Sequence, residues 1–395
     1  MLILVINAGS SSLKFQLLDS ENGDVKAKGL CERIGIDGSM TYQGSGDKVR
    51  SQKDMPTHRE AIKYVLEELT SEKHGVIASM SEIGAVGHRV VHGGEQFAQS
   101  ALITPEVKDA IRDCIPLAPL HNPANIMGIE ACEEVMSNTP MVAVFDTAFH
   151  QTMPARAYMY ALPYEYYKDY AVRRYGFHGT SHRFVSLEAA KFLGKPVEEL
   201  KIVSCHLGNG SSITAIDGGK SIDTSMGMTP LAGVPMGTRC GDIDPAIIKY
   251  LLETDPELTI RKLDHVMNKQ SGVLGVSGVS SDFRDLTEAY EQGNKRAELA
   301  LDMFSYNVRK YIGAYATAMA GIDVIIFTAG VGENDSKVRH HVCKGLGYLG
   351  ITIDPEQNSK RGELVEITTP DSKVKVLVVP TNEELMIAKE AAMVL

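Results

Sequence analysis

Two arginines in this sequence sit among small residues, where a guanidinium can be presented to an anion. They are Arg89 in Gly87-His88-Arg89-Val90-Val91-His92-Gly93-Gly94 and Arg239 in Gly237-Thr238-Arg239-Cys240-Gly241-Asp242. Arginine carries a fixed fork of donors that matches a carboxylate or a phosphate, which the point charge of lysine cannot reproduce. Taken singly, each reads more readily as half of a surface ion pair, and Arg361 reads as an ordinary surface arginine. Three glycine-rich turns add to the pattern, at Gly9, at Gly208 and Gly210, and at Gly330 and Gly332, each after a short apolar run. Backbone N–H groups in such turns converge on phosphate oxygens, and glycine lets the backbone come close. A single turn of this kind is weak evidence. Three of them, with Ser, Asn and Lys14 interleaved, point to a phosphate-bearing ligand. The two common nucleotide signatures are absent. Gly219-Lys220-Ser221 has Thr214 where a P-loop needs its first glycine, and Gly208-x-Gly210 has Ile213 where the dinucleotide fingerprint has its third.

Acidic residues occupy positions suited to a site. Asp146 closes the apolar run 141–145, a strand-end position where active-site acids lie in α/β folds; a turn or N-cap aspartate is the plain alternative. Glu383 and Glu384 open the last apolar-periodic segment. Thr381-x-x-Glu384 reads as a capping box, which accounts for Glu384 and leaves Glu383 as an oxygen ligand for a hard ion such as Mg²⁺. Two H-x-x-x-H motifs, His88/His92 and His178/His182, have a spacing that binds zinc from a helix. Glycines flank or interrupt both and Val90-Val91 favours a strand, so neither is expected to be helical or to hold zinc.

The elements that must position these residues alternate between strand and helix. Residues 2–6, a small-residue turn and the alternating Leu13, Phe15 and Leu17 read as strand, turn, strand; residues 202–207, the turn 208–212 and residues 213–216 repeat the theme. Ser11-Ser12-Leu13 and Ser211-Ser212-Ile213 correspond at the same offset, which fits two copies of one domain design. Thr57-His58-Arg59-Glu60 predicts a capping box opening a helix with Ile62, Val65, Leu66 and Leu69 on one face. A helical stripe runs over 296–320, a buried strand over 323–327, a strand over 374–379 and a helix over 383–394. The fold class is α/β. At 395 residues two domains are expected. A net charge of -10 argues against a nonspecific grip on nucleic acid. No apolar run nears the ~20 residues of a membrane span, and the opening run is too short and lacks the basic lead of a signal peptide. The six cysteines are scattered without a C-x-x-C pair, which suits reduced thiols in the cytoplasm.

Taken together, these segments closely resemble the acetokinase family. The resemblance is carried by Asn7-Ala8-Gly9-Ser10-Ser11-Ser12-Leu13-Lys14-Phe15, by 87–94, Phe145-Asp146-Thr147-Ala148-Phe149-His150 and 175–182, and by 206–212, 223–233, 237–242, 330–334 and 381–384. It covers essentially the whole chain, with no motif broken. It implies two duplicated α/β domains of the sugar kinase, heat-shock ATPase and actin superfamily, with the active site in the interdomain cleft. The expected boundaries are 1–150, completed by the C-terminal helix 385–395, and 151–384, which holds the nucleotide. The implied nucleotide residues are Lys14, His206, Leu207, Gly208, Asn209, Gly210, Asp282, Phe283, Arg284, Gly330, Val331, Gly332, Glu333 and Asn334. Asn7 and Glu383 are the implied Mg²⁺ pair, with Mn²⁺ a plausible substitute. Arg89, Arg239, His178, Asn209 and Asp146 surround the reacting groups, and Val91, Leu120, Phe177 and Pro230 line the acyl pocket. A homodimer is implied by the resemblance alone.

The implied reaction is reversible phosphoryl transfer between ATP and the carboxylate of acetate, giving ADP and acetyl phosphate. Carboxyl groups have pKa values of about 4, so the nucleophile is already ionised and needs no general base. Asp146 is then expected to orient Mg²⁺, its waters or the arginines rather than to remove a proton. A propionate kinase of the same family is the nearest alternative. A sugar or glycerol kinase would need Asp146 as base, and an actin-like or chaperone ATPase would need a polymer or peptide surface.

Overall fold

The computed structural model describes Met1–Leu395 as two compact units, one formed by Met1–Gln151 with Asn382–Leu395 and the other by Thr152–Thr381. The first unit is built on a sheet of eight strands: β1 (Leu2–Ala8), β2 (Ser12–Asp19), β3 (Val25–Glu32), β4 (Ser39–Gln43), β5 (Val49–Gln52), β6 (Ala85–Val90), β7 (Ala101–Leu102) and β8 (Met141–Phe145), in the order β5-β4-β3-β2-β1-β6-β8-β7. β1 and β8 bury both faces, because helices cover both sides of the sheet, and so read as continuous apolar runs. One face packs on the helices His58–Leu69 and Asn122–Val135, through Ala61, Ile62, Val65, Ala131 and Cys132 against Leu4 and Ile6. The opposite face takes the last helix, Glu383–Val394, whose Ile387, Ala388 and Ala391 cluster with Ile3, Val5, Ala85 and Val144. Gly87 makes that docking close: a Cβ there would lie 2.8 Å from Cγ2 of Ile387. The Thr57 capping box forms as expected, with Thr57 Oγ1 accepting from Arg59 N–H and Glu60 accepting from Thr57 N–H.

The second unit holds a six-stranded sheet: β9 (Lys201–Leu207), β10 (Ser211–Asp217), β11 (Lys220–Thr224), β12 (Val324–Thr328), β13 (Val365–Glu366) and β14 (Lys375–Val378), ordered β11-β10-β9-β12-β14-β13. The long helix Lys295–Ala318 packs Phe304, Val308, Ile312 and Tyr315 against Val203, Cys205, Ile213 and Ile325. The repeated theme in the sequence is now explicit. In β3-β2-β1-β6-β8 and in β11-β10-β9-β12-β14 the first two pairings are antiparallel and the last two parallel. Both glycine turns that followed the first strand of each half are β-hairpin tips in this common topology.

Two local expectations are corrected. Thr381 and Glu384 do not form a capping box: the N-cap is Asn382, whose Oδ1 accepts from Leu385 N–H. Thr381 is committed elsewhere, its N–H to the Glu333 carboxylate and its hydroxyl to Ser181, while Glu384 pairs with Lys14. Residues 178–182 are not loop either. His178 stands at the N-cap in the left-handed region (φ 56°), and the helix Gly179–Leu193 carries His182 in its first turn. A small Gly-Thr-Ser start disguised a helix whose first buried turn is polar, with Phe184, Val185, Ala189 and Ala190 buried further along. The reassigned cap gives a direct expectation: N382A should lower stability by about 0.5–2 kcal/mol in a denaturant titration, the larger share of any thermal shift at this helix start.

Candidate active site

In the first unit the chemistry-bearing residues gather at the ends of β1, β6 and β8. Arg89 pairs with Val144 and Val90 with Phe145 across the parallel β6–β8 ladder, and Asp146 N–H donates to Val90 O, so Asp146, two residues beyond Val144, lies on the same face as Arg89. Arg89 grips the acid through two bonds, Nε to Oδ1 at 3.2 Å and Nη2 to Oδ2 at 2.6 Å. Asp146 is 1% exposed, so this is a buried pair and the surface reading of Arg89 falls away. The Asp146 carboxylate, with Glu383 and Glu384 beyond it, holds Arg89 more firmly charged than a free arginine. Burial pushes the Asp146 carboxyl upward, opposed by the charge of Arg89. The fork geometry makes Asp146 an orienter of Arg89.

Asn7, Lys14, Arg89, Glu383 and Glu384 line one small cavity. Lys14 bonds Glu384, so within this unit its side chain joins the carboxylate cluster. Glu383 is the telling member. Its Oε1 is buried without a hydrogen-bond partner, an arrangement a carboxylate oxygen sustains poorly unless a ligand completes it. Two oxygen donors, the Glu383 carboxylate and the Asn7 amide, suit Mg²⁺, which takes few protein ligands and keeps waters and substrate oxygens for the rest. Of the residues expected in an acyl pocket from this unit, Val91 is 6% exposed, whereas Leu120 is 72% exposed and its side chain is a surface one.

In the second unit a cavity of about 720 Å³ is lined by Gly208, Asn209, Asp282, Phe283, Arg284, Gly330, Val331 and Asn334. Its size falls within the range of small-molecule sites, ~300–1,000 Å³. The expected nucleotide segments from the two glycine turns and from 282–284 thus meet around one space. Not every predicted residue faces it. Leu207 is fully buried in the core and His206 is nearly so. Glu333 turns inward to accept from Ala329 and Thr381 N–H, bracing the turn. The expected turn at Gly330 and Gly332 is in fact a short helix, Ala329–Asn334, and Ala329, a non-glycine residue at φ 63°, gives it a sharp exit from β12. The Arg284 guanidinium and backbone N–H hold Asp282 down to about 2. The cavity also takes Ser281, Thr287, Glu288, Glu291, Asp335, Ser336, Lys337 and Arg361. Arg361 is therefore no neutral surface arginine. Asp335-Ser336-Lys337 follow directly on the glycine turn and open the next helix, Ser336–Cys343, with Asp335 as N-cap. An N-cap signal beside a glycine turn was the available clue.

Beside this cavity lies an anion-ready corner. Arg239 is partly buried, and its recorded partners are the Pro230 carbonyl at 3.2 Å and the Met236 sulphur at 3.6 Å, with no carboxylate among them. Burial lowers its affinity for its proton, though not to where an arginine loses its charge. Gly210 sits against it: a Cβ on Gly210 would be 3.3 Å from Arg239 Nη1 and 3.6 Å from His178 Nε2. One point at the hairpin tip is thus flanked by both groups. Asn209 packs on the Arg239 loop so tightly that a Cβ at Gly237 would lie 2.1 Å from its Oδ1, and Gly237 N–H donates to Asn209 O. Pro230 touches Arg239 through its carbonyl, and Phe177, 3% exposed, precedes His178.

The Acetokinase family profile matches residues 2–389. An acetate kinase from Thermoanaerobacterium thermosaccharolyticum is 60% identical over 392 residues, 99% of this chain and 98% of the relative. The crystal structure of Porphyromonas gingivalis acetate kinase superposes with a TM-score of 0.96 at 49% identity, covering 100% of this chain and 99% of that one. A propionate kinase structure from Francisella tularensis gives 0.91 at 41%, covering 98% of each chain. The profile match over residues 2–389 and the 60% identity over 99% of the chain, on a chain with two glycine-turn hairpins, show that this chain belongs to the acetokinase family.

Proposed function

We propose that the chain is a carboxylate kinase that transfers a phosphoryl group reversibly between ATP and acetate. The observation that carries this reading is Arg239: a partly buried guanidinium with no carboxylate partner, flanking with His178 Nε2 the Gly210 position, which adjoins the cavity-lining Asn209. Such a group is matched to a ligand anion rather than to the fold. Acetate is favoured over propionate because the acetate kinases are the more similar relatives, at 60% and 49% identity against 41%.

ATP occupies the cavity bounded by the turns at Gly208 and Gly330, with Arg284, Lys337 and Arg361 as nearby cations. The ionised acetate oxygen attacks the γ-phosphorus in line, the bond to the β,γ-bridging oxygen breaks, and ADP leaves; no proton is transferred. The obstacle is one anion approaching another. Arg239 and Arg89 offset that charge, His178 donates a hydrogen bond to a transferring oxygen, and Asn209 fixes the turn that carries the phosphates. Asp146 acts by holding Arg89, not as a base. Mg²⁺, held by Asn7 and Glu383, would neutralise phosphate charge. Val91, Phe177 and Pro230 are the acyl-pocket residues; Leu120, being exposed, contributes only if a ligand or another chain covers it.

A homodimer is part of this reading. The helix Ala246–Thr254 has no buried residue, and its Ile247 and Tyr250 are 41% and 67% exposed, an apolar surface a second copy would cover. The six unpaired cysteines suit a reducing compartment, which supports the cytoplasm. No helix is long and apolar enough to cross a membrane.

The test is ADP release with acetate, propionate, butyrate and glycerol, the acyl phosphate being trapped as hydroxamate. Acetate should give the highest kcat/KM and a hydroxamate; turnover of glycerol without hydroxamate would overturn the carboxylate assignment. V91A should shift preference toward propionate by about tenfold, within the ~1–3 kcal/mol a methylene is worth in a pocket. Unchanged ratios across the three acids would remove Val91 from the pocket.

A further inference from the structure

Behind His178 runs a line of buried hydrogen-bonding groups that the reaction does not use directly. His178 Nδ1 lies 2.9 Å from Ser212 Oγ, which is 2.7 Å from His182 Nε2; His182 Nδ1 in turn lies 2.8 Å from Ser204 Oγ. Ser204, Ser212 and His182 are all fully buried. We propose that Ser212 and His182 are positioning residues that keep His178 in the neutral tautomer with its proton on Nε2, aimed at the transferring phosphoryl group. The inference rests on the reading of His178 as a hydrogen-bond donor.

The argument is proton counting. A serine hydroxyl has one hydrogen, so a Ser212 placed between two ring nitrogens gives to one and accepts from the other. In one arrangement His182 Nε2–H donates to Ser212, which donates to His178 Nδ1, and the remaining His178 proton sits on Nε2. In the reverse arrangement Nε2 presents a lone pair, which repels an anion. A doubly protonated His178 would also donate from Nε2, but its surroundings disfavour that charge. Arg239 Nη1 flanks the same point at Gly210, and the His206 ring, on β9, stacks on His178 at 4.1 Å with 17° between planes. His182, from its own helix, is the third titratable neighbour, reached through Ser212. A donor that stays neutral beside Arg239 needs its other nitrogen occupied by a hydroxyl proton, and Ser212 is the group in place. The ring nitrogen opposite the reacting one sets the tautomer, the usual division of labour in histidine sites.

The relay has a pH signature that a packing role lacks. With Ser212 present, Nε2 stays a donor above the ordinary imidazole range. In S212A the tautomer is unconstrained, and Nε2 is a certain donor only when the ring is protonated, which Arg239 beside it confines to pH below the ordinary imidazole range. S212A should therefore lose about tenfold or more in kcat at pH 8.5, recover only as pH falls below the ordinary imidazole range, and keep its KM for ATP. S212T restores the hydroxyl and should restore the flat profile. In an H178A background S212A should add little further loss. H178A impaired with S212A unchanged at every pH overturns the relay alone. A pH-independent S212A loss that persists in the H178A background makes Ser212 merely structural and overturns it too. H178A with wild-type kcat would instead remove His178 from the chemistry, and the relay with it. Should S212A not fold, H182Q and H182L carry the same comparison: glutamine supplies an N–H to Ser212 and should keep activity at pH 8.5, whereas leucine supplies none and should show the alkaline loss. Equal activity of the two at pH 8.5 overturns the relay.

Discussion

Arg239→Ala should lower kcat by ~10²–10³, the usual cost of removing one charge contact made in the transition state, while leaving the fold nearly as stable as before. Both halves of that expectation follow from its partners. The guanidinium is held by a carbonyl and a thioether, with no carboxylate, so its loss strands no buried counter-charge. Arg89→Ala is the instructive contrast. It strips Asp146, 1% exposed, of a bidentate partner, and an uncompensated buried charge costs about 3–5 kcal/mol. R89A should thus lose activity and melt early, R239A should lose activity alone. R239K should recover little, since one ammonium cannot supply the fork. The surface control is R50A, whose side chain is 70% exposed with its nearest carboxylate, on Glu32, 3.9 Å away. Arg361 cannot serve, because it lines the cavity proposed for ATP. Steady-state rates at saturating acetate and ATP, with thermal melts, check all four. Near-wild-type turnover in R239A would end the assignment of this corner to the reaction.

What the sequence disclosed, and what it hid, divides along physical lines. Strands buried on both faces announce themselves as apolar runs, and a hairpin tip of glycine and serine breaks the run sharply, so β1–β2 and β9–β10 were legible together with their duplication. Asp146 was legible for the same reason, as the first polar residue after a buried strand. The start of the helix Gly179–Leu193 was not, since its first buried turn is glycine and the polar Thr180, Ser181 and His182, and apolar buried residues begin only at Phe184. The cap of the last helix was misread by one residue: Thr381-x-x-Glu384 and Asn382 offer competing caps, and tertiary bonds to Ser181 and Glu333 take Thr381 away. Lys14, read from its place after a glycine turn, bonds Glu384 across a sequence separation no local pattern reveals. Spacing can show which residue types are available; which two meet is decided by the sheet order.

Glu383 and Glu384 are adjacent, yet their environments assign them different work, and E383Q is expected to separate them. Glu384 is occupied by Lys14. Glu383 keeps a buried oxygen without a donor, on a cavity shared with Asn7 and Arg89. A buried carboxylate oxygen left unsatisfied works against folding, so its position makes sense if a cation completes it. Replacing that oxygen by an amide removes a charge that Mg²⁺ needs and one the apo fold only tolerates. E383Q should therefore raise the Mg²⁺ concentration for half-maximal rate by at least ~10-fold, at or beyond the low end of what even an outer partner of a metal site is worth. Its melting temperature without metal should hold or rise. Mn²⁺ binding followed by water-proton relaxation should weaken in parallel, independently of turnover. E384Q should do the opposite: its Lys14 partner is half-exposed, so the loss is at most about 1 kcal/mol of stability, with the Mg²⁺ requirement unchanged. A Mg²⁺ defect in E384Q with a normal E383Q would transfer the metal role to Glu384 and leave the orphaned Glu383 oxygen as a cost of the fold alone.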